Sequence, residues 1–469
     1  MSTKSPKLNT QALPPDLFAA VQSIARAVRA AGGCAYMVGG AVRDLILGGR
    51  TVKDVDLEVY GLEPELLKRV VGERFAFDEC GLSFGVLKIK DFDIDVSLPR
   101  RESKRGIGHK GFLVDSDPFL PIPEAASRRD FTINAMYYDP LADVFEDPFG
   151  GIEDLRRRVL RHVSPKFVED PLRVLRGMQF IARFDLHPAP ETVEICRTVT
   201  MEDLPPERLF EEWSKLLVKG LHIARGLAFL RDTGWVRYFP ELQRLINCEQ
   251  DPKWHPEGDV WNHTCLCLDA FARRRVGDYG EDLIVGLAVL CHDFGKPDTT
   301  ARDPVSGHIR SLGHDEAGVE PTLSFLRRLT NEERILREVP PLVQYHMQPF
   351  SLWCAHAGDA AVRRLALKVI HIDRLLRVAR ADDEGRPPEL SGGTSNGEDL
   401  KWLGEVAERL RVADAAPKPI LLGRDLIALG YKPSPQFGKW LDACFKAQLD
   451  GAFADHDGAI EYFRAHFEG

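Results

Sequence analysis

A chain of 469 residues is too long for a single compact core and predicts two to four domains. With 44% hydrophobic and 28% charged residues and a formal net charge of −9, it is an ordinary globular chain, not a protein that coats nucleic acid non-specifically. Local basic surfaces such as "RRRVLRH" (Arg156 to His162) remain compatible with that charge. Nine cysteines scattered without a CxxC pair indicate neither a zinc ribbon nor a disulfide framework, and predict reduced thiols in a cytoplasmic protein. No apolar run has signal-peptide or membrane-span length, so no membrane partner is expected.

In chain order, "DLFAAVQSIARAVRAAG" has helical periodicity and stops at Gly32-Gly33. "CAYMVGG" predicts a strand and "AVRDLILGG" a short helix behind it. "VKDVDLEVYG", "FGVLKIK" and "FDIDVSLP" alternate or are β-branched, and predict further strands. Beyond "EDPFGGIEDL" long amphipathic segments dominate. "EGRPPELSGGTSNGED" (Glu384 to Asp399) predicts a linker before a last helical piece, and no repeat or heptad is present. The expected fold class is α+β. A mixed α/β head with a small antiparallel or mixed sheet spans residues 1–150. A helical neck and body (151–250), a helical metal domain (251–390) and a helical tail (400–469) follow.

Asp54 and Asp56 lie two residues apart on a predicted strand and therefore share a face. Two carboxylates so close repel unless a cation sits between them, and oxygen ligands suit Mg²⁺ shared with substrate phosphates. Upstream, Gly39 and Gly40 join a strand to a helix, where backbone N–H groups favour an anion, and Arg43 adds a charged donor. The set fits two-metal phosphoryl or nucleotidyl transfer; the plain alternative is a surface DxD beside a glycine turn. Asp93 and Asp95 lie on another strand, Asp95 being the candidate third carboxylate. "SRRDFTINAM" clusters Arg128 and Arg129 with Asp130, suited to a sugar hydroxyl and phosphates. Asp170 and Arg173 sit at i and i+3 at a helix start, with Arg176 a turn further on. Such a carboxylate and guanidinium match the amine donor and ring-nitrogen acceptor of cytosine and adenine, and mispair with uracil and guanine. A helix-terminal salt bridge is the alternative for that pair.

"VGGAVRD…KDVDLEV", "RRDFTINAM", "DPFGGIEDLRRRVLRHVSPKFVEDPLRVLRGMQFIARF" and "PPERLFEEWSKLL" occur in the order of the class II tRNA nucleotidyltransferase/poly(A) polymerase family, which residues 35–220 resemble. The resemblance implies Asp54 and Asp56 as Mg²⁺ carboxylates, with Gly39, Gly40 and Arg43 facing the triphosphate. It implies Arg129 and Asp130 at the nucleotide's sugar and phosphates, and Asp170 and Arg173 as a protein template for CTP and ATP. Glu207 and Arg208 would lie on a helix that props the site, and the segment from Arg101 to Glu124 resembles the loop that switches C to A addition.

Further on, "PKWHPEGDVWNHT", "LCHDFGKPDTT", "SLGHDEAG", "VQYHM" and "RADDEGR" space histidines and aspartates through a helical region. His263, His292, Asp293 and Asp382 are ligands a divalent transition metal takes when water is activated on a phosphate ester. Lys296 is placed to meet the phosphate, and His314 and His346 to bind substrate or a second ion. His356 and His371 are expected to be ordinary packed or surface residues. The pattern resembles the HD phosphohydrolase superfamily, and the HD domain fused to bacterial CCA-adding enzymes. That implies phosphatase, 2′-nucleotidase or 2′,3′-cyclic phosphodiesterase activity. In the tail, Lys432 and Lys439 beside a Gly-Tyr-Lys-Pro turn suit an RNA phosphate.

The expected function is CCA addition to tRNA from CTP and ATP, with no DNA partner. A poly(A) polymerase would share the catalytic residues, but the segment after "GLSFGVLKI" lacks the basic Gly-Arg-Arg-His type signature of bacterial poly(A) polymerases. A CC-only or A-only enzyme is a second alternative. A third, from another class, is an HD phosphohydrolase whose head only binds RNA.

Overall fold

In the computed structural model the described residues are 12–48, 52–80, 85–104, 112–386 and 397–468. The chain divides into two compact units, one of residues 1–216 and 220–238, the other of 217–219 and 239–469.

The first unit is built on a seven-stranded mixed sheet. Its strands are β1 (Cys34–Val38), β2 (Val55–Tyr60), β3 (Phe77–Cys80), β4 (Val86–Ile89) and β5 (Ile94–Ser97), joined by β8 (Tyr137–Asp139) and β9 (Val144–Glu146). A separate hairpin pairs β6 (Arg100–Lys104) with β7 (Phe112–Ser116). The sheet order is β3-β4-β5-β2-β1-β8-β9, with β1 antiparallel and β5 parallel to β2. On β2 the alternation is decisive. Val55, Leu57 and Val59 are at most 1% exposed, each worth about 1.5–3 kcal/mol of burial, while Asp54 and Asp56 face outward. A one-residue slip would drive both aspartates into the core, so apolar packing sets their register. The helix Pro15–Ala30 packs on β1 and buries Leu17, Val21, Ile24 and Val28. The expected strands are present; β3, β8, β9 and the hairpin were not foreseen, because their runs are short and polar. Part of the expected loop from Arg101 to Glu124 (residues 105–111) lies outside the described residues. After the sheet, the helix Leu172–Phe184 packs against Ile223–Asp232.

The second unit is helical apart from a small hairpin of Thr300–Arg302 with Ile309–Ser311. The helices Val260–Arg273, Tyr279–Cys291, Glu333–Gln344 and Ile372–Glu384 pack together. Arg374, 2% exposed, ties three of them by donating to Glu281 at 2.5 and 2.6 Å and to Glu338 at 2.8 Å. Most of the expected linker, residues 387–396, lies outside the described residues. The tail has its own core of Leu421, Leu426, Phe437, Cys444, Phe453 and Phe463. Its Gly-Tyr-Lys-Pro turn joins the helices Gly423–Ala428 and Pro435–Asp450, with Lys432 and Lys439 exposed. No described helix is long and apolar enough to cross a membrane.

Candidate active sites: an acidic crease and a histidine cluster

In the head, β1 ends at Val38 opposite Asp56, and Gly39 turns the chain with φ +72° into the helix Gly40–Leu47. A Cβ on Gly39 would lie 3.4 Å from Asp56 Oδ2 and 3.3 Å from Arg129 Nη1, so the turn lies directly on the acid and the arginine. Glycine is favoured there by the dihedrals, φ +72° and ψ −138°. Asp95 is the parallel-strand partner of Asp56, and its carboxylate leans towards Lys88 Nζ, 3.6 Å away. Burial in the crease, then Asp95, Asp54 and Glu58, push the Asp56 carboxyl above its ordinary value against the pull of Arg129. A divalent cation relieves that repulsion, and an all-oxygen donor set suits Mg²⁺; the residues fit the ion.

Glu58, two residues beyond Asp56 and 1% exposed, was not singled out in the sequence, although it continues the same alternation. It accepts from Arg129 Nη2 at 3.2 Å, Arg128 Nη2 at 3.3 Å, Tyr60 at 2.6 Å and Tyr137 at 3.0 Å. Against burial, those arginines hold it below the usual carboxylate range. Arg129 is thereby aimed into the crease. Arg43, 4% exposed, donates to Asn134 Oδ1 at 2.6 Å and Asp44 at 2.8 Å, and stacks on Phe184. Asn134 in turn donates to Asp130 at 3.0 Å, and Arg176 Nε to Asp130 at 2.8 Å. Arg176 and these hydrogen bonds lower the Asp130 carboxyl despite burial. Arg43, Asp130 and Arg176 thus form one internal chain with Asn134, a second residue the sequence reading passed over. Asp170 and Arg173 do not pair with each other. Asp170 accepts from Arg208 at 3.0 Å and from the Leu172 N–H at 3.1 Å, while Arg173 donates to the carbonyls of Lys166 and Arg128 at 2.8 and 2.6 Å. Arg208 therefore does prop Asp170, and Glu207 is exposed.

In the helical unit, helix ends deliver the ligands. His292 and Asp293 follow Tyr279–Cys291, His346 follows Glu333–Gln344, and Asp382 lies in the last turn of Ile372–Glu384. Helix C-termini leave carbonyls free and favour cations. His292 donates its Nδ1–H back to Val289 O (2.7 Å), His346 to Val343 O (2.7 Å) and His314 to Ser311 O (2.8 Å), the same i to i−3 turn three times. His263 gives its Nδ1–H to Glu257 at 2.8 Å. In the neutral rings every Nε2 then presents a lone pair to the centre. His263 Nε2 is 2.9 Å from Asp382 Oδ1, and His314 Nε2 is 3.3 Å from His346 Nε2. His292 Nε2 and Asp293 Oδ1 are buried without a hydrogen bond, while Asp293 Oδ2 meets the Lys296 ammonium at 2.8 Å. Acceptors facing acceptors repel unless a proton or metal ion lies between, so these residues fit a metal. Burial, with charge on His292 and His314, takes His346 down to about 4, and hydrogen bonds from His255 and His263 take Glu257 down to about 2 against burial.

Besides His255, Glu257 and His263, which meet through the Nδ1 contacts to Glu257, two groups of ligand atoms lie within 4.8 Å of one another here: His263, Cys267, His292 and Asp382, and Asp293, His314 and His346. Lys296 Nζ lies 2.8 Å from Asp293 Oδ2 and 2.7 Å from Gln250 Oε1. A cavity of about 490 Å³ opens on the cluster, walled on its apolar side by Trp254, Met347, Pro349 and Phe350. His356 is exposed and His371 half-buried, and neither belongs to either group. Glu257 and Cys267 went unassigned in the sequence, although Cys267 stands at i+4 from His263.

A strand–glycine turn–helix beside alternating carboxylates defines a nucleotidyltransferase head. Residues 35–161 match the family described as "Poly A polymerase head domain", and residues 185–246 that described as "Probable RNA and SrmB- binding site of polymerase A". Over 396 residues the chain is 35% identical to the multifunctional CCA protein of Stenotrophomonas maltophilia, covering 81% of this chain and 93% of that one. Over 305 residues it is 37% identical to the multifunctional CCA protein of Xylella fastidiosa, covering 63% and 69%. The Bacillus stearothermophilus CCA-adding enzyme, solved in complex with CTP, shares the fold with a TM-score of 0.64 at 22% identity over 97% of this chain and 99% of that one. The chain belongs to the tRNA nucleotidyltransferase/poly(A) polymerase family, among the multifunctional CCA proteins.

Proposed function

We propose that the chain builds the CCA end of tRNA from CTP and ATP. The observation that carries this reading is the Gly39 turn, which lies directly on Asp56 and Arg129 and so sets a strand-to-helix glycine turn beside the acid pair. Asp54 and Asp56 would hold Mg²⁺, which when bound would supply activation of the RNA 3′ hydroxyl and charge stabilisation for departing pyrophosphate. The remaining work belongs to the chain. N–H groups of the Gly39–Gly40 turn receive phosphate oxygens. Arg129, steered by Glu58, neutralises charge in the crease, and the Arg43–Asn134–Asp130–Arg176 chain holds the glycine helix to the neck. Asp170 and Arg173 select the base: the carboxylate accepts from the exocyclic amine while the guanidinium donates to the ring nitrogen. Asp170 keeps a lone pair on each oxygen beyond those used by Arg208 and Leu172. The tRNA arm is read through phosphates and 2′-hydroxyls, with Lys432 and Lys439 of the tail among the contacts. We place the chain in the cytoplasm, as its scattered cysteines without a CxxC pair led us to expect. We keep the division into head 1–150, neck and body 151–250, HD domain 251–390 and tail 400–469 as part of this reading.

The test is incubation with tRNAs ending at the discriminator base, ending in CC, or complete, followed by product sequencing. Full CCA on the first, A on the second and nothing on the third support the reading. A poly(A) tract, or arrest after CC, assigns the chain to the alternatives.

The histidine cluster favours a second activity, metal-dependent hydrolysis of 2′- or 2′,3′-cyclic phosphates at RNA ends, with Lys296 meeting the phosphate. Such hydrolysis would expose the free hydroxyls that the head extends. His292→Ala should abolish cyclic-phosphate hydrolysis and leave CCA addition intact; hydrolysis that persists refutes the assignment.

A further inference from the structure

Cys267 occupies a place that neither the HD pattern nor the phosphohydrolase reading requires. On the helix Val260–Arg273 it follows His263 by four residues, so both side chains leave the same face. Its Sγ lies 3.4 Å from His263 Nε2 and belongs to the group with His292 and Asp382, all within 4.8 Å. Asp293 groups with His314 and His346, and its Oδ2 also lies 3.3 Å from His292 Nε2 and 4.0 Å from His263 Nε2. Bonds of about 2.0–2.3 Å to a tetrahedral ion put neighbouring ligand atoms about 3.3–3.6 Å apart. The sulfur-to-nitrogen distance falls in that range, and His263–Asp382 at 2.9 Å and His292–Asp382 at 3.9 Å bracket it.

The surroundings are built to bring the sulfur there. The helix carrying Asp382 ends at Gly385, where a Cβ would lie 2.3 Å from Cys267 Sγ and 3.0 Å from its backbone nitrogen. Only glycine lets that turn descend onto the cysteine. The thiol has a single weak acceptor besides His263, the Asp382 carbonyl at 3.8 Å. His292 Nε2, 1% exposed, points into the same space without a hydrogen bond.

We propose that Cys267 is a direct thiolate ligand of the metal in this cluster, added to His263, His292, Asp293 and Asp382. The inference rests on the reading that the cluster holds a metal. On binding, the S–H bond breaks, its proton passes to solvent and the sulfur lone pair bonds the ion. A thiolate with two imidazoles selects Zn²⁺ or Co²⁺ over Mg²⁺, so the two reactions of the chain draw on separate ions.

The test is absorption spectroscopy of the full chain, stripped by chelation and loaded with one equivalent of Co²⁺. The wild type should show visible ligand-field bands and an intense near-ultraviolet sulfur-to-cobalt band. Cys267→Ser should keep the ligand-field bands and lose the sulfur band, whereas Cys34→Ser, at an exposed cysteine of the first unit, should keep both. X-ray absorption of the wild type with one equivalent of Zn²⁺ needs no variant and should show one sulfur at about 2.3 Å. Ligand-field bands without a sulfur band, or a sulfur band that survives Cys267→Ser, overturn the assignment while leaving the metal reading intact. Absence of any bound ion by calorimetry overturns both.

Discussion

The acidic crease of the head and the histidine cluster of the helical unit differ in how much of each exists before anything binds. In the head, Asp54 and Asp56 stand on an open face, while Glu58, Asp130, Arg129 and Arg176 are already paired among themselves. In the helical unit the ligand atoms are buried and already converge, His263 Nε2 2.9 Å from Asp382 and His314 Nε2 3.3 Å from His346 Nε2. Among the described residues, groups of three or more His, Cys, Asp or Glu ligand atoms within 4.8 Å of one another occur only in the second unit. Exposed carboxylates keep their water, so a hard ion can arrive with the phosphates that complete its shell. Buried imidazoles cannot wait in that way, since each unsatisfied polar group costs about 1–3 kcal/mol. One site is assembled by its substrate and the other by its fold.

The sharpest break of this comparison is the double variant Asp54→Ala/Asp56→Ala. Incorporation of CTP should fall by about 10³-fold or more, the scale of losing charge stabilisation in a transition state, with cyclic-phosphate hydrolysis unchanged. Residual incorporation near the wild-type rate would remove the acid pair from the mechanism. Next in size, Glu58→Gln leaves Arg128 and Arg129 without their counter-charge and should destabilise the first unit by about 3–5 kcal/mol in denaturant unfolding.

A smaller effect tests pre-assembly directly. Zn²⁺ free at a hundred times its dissociation constant should stabilise the helical unit by about 2.7 kcal/mol, and His292→Ala should abolish the gain. Mg²⁺ without nucleotide should leave the first unit's unfolding midpoint in place; a rise there would mean that the head, too, is preformed. The smallest effect is a pH slope. Glu58 is held below its reference value of 4.5, so the folded state binds fewer protons than the unfolded one. Its stabilisation is complete above pH 4.5 and is lost as pH falls through the depressed folded value. Stability measured from pH 6 downward (roughly the range in which carboxylates titrate) should lose that component of its slope in Glu58→Gln.

Much of each site was legible in the chain because it rests on local periodicity. Alternation put Asp54 and Asp56 on one face, and the adjacent His292-Asp293 pair read as a helix-end ligand pair, since both follow Cys291 at a C-terminus. What escaped were partners at long range. Arg173 bonds the carbonyl of Arg128 45 positions away rather than its helical neighbour Asp170. Asp170 takes Arg208, 38 positions on. Glu58 and Asn134 read as ordinary polar residues because their meaning lies in the arginines that reach them.

From sequence alone come the family, the mixed head before helical modules, and the donor types of both sites, because glycine, paired carboxylates and histidine carry their chemistry wherever the backbone takes them. Tertiary structure alone decided which charges neutralise one another, which histidine nitrogens face inward, and that Cys267 Sγ comes within 3.4 Å of His263 Nε2. Those outcomes depend on distances between helix ends and strands brought together by apolar burial, which no local pattern encodes.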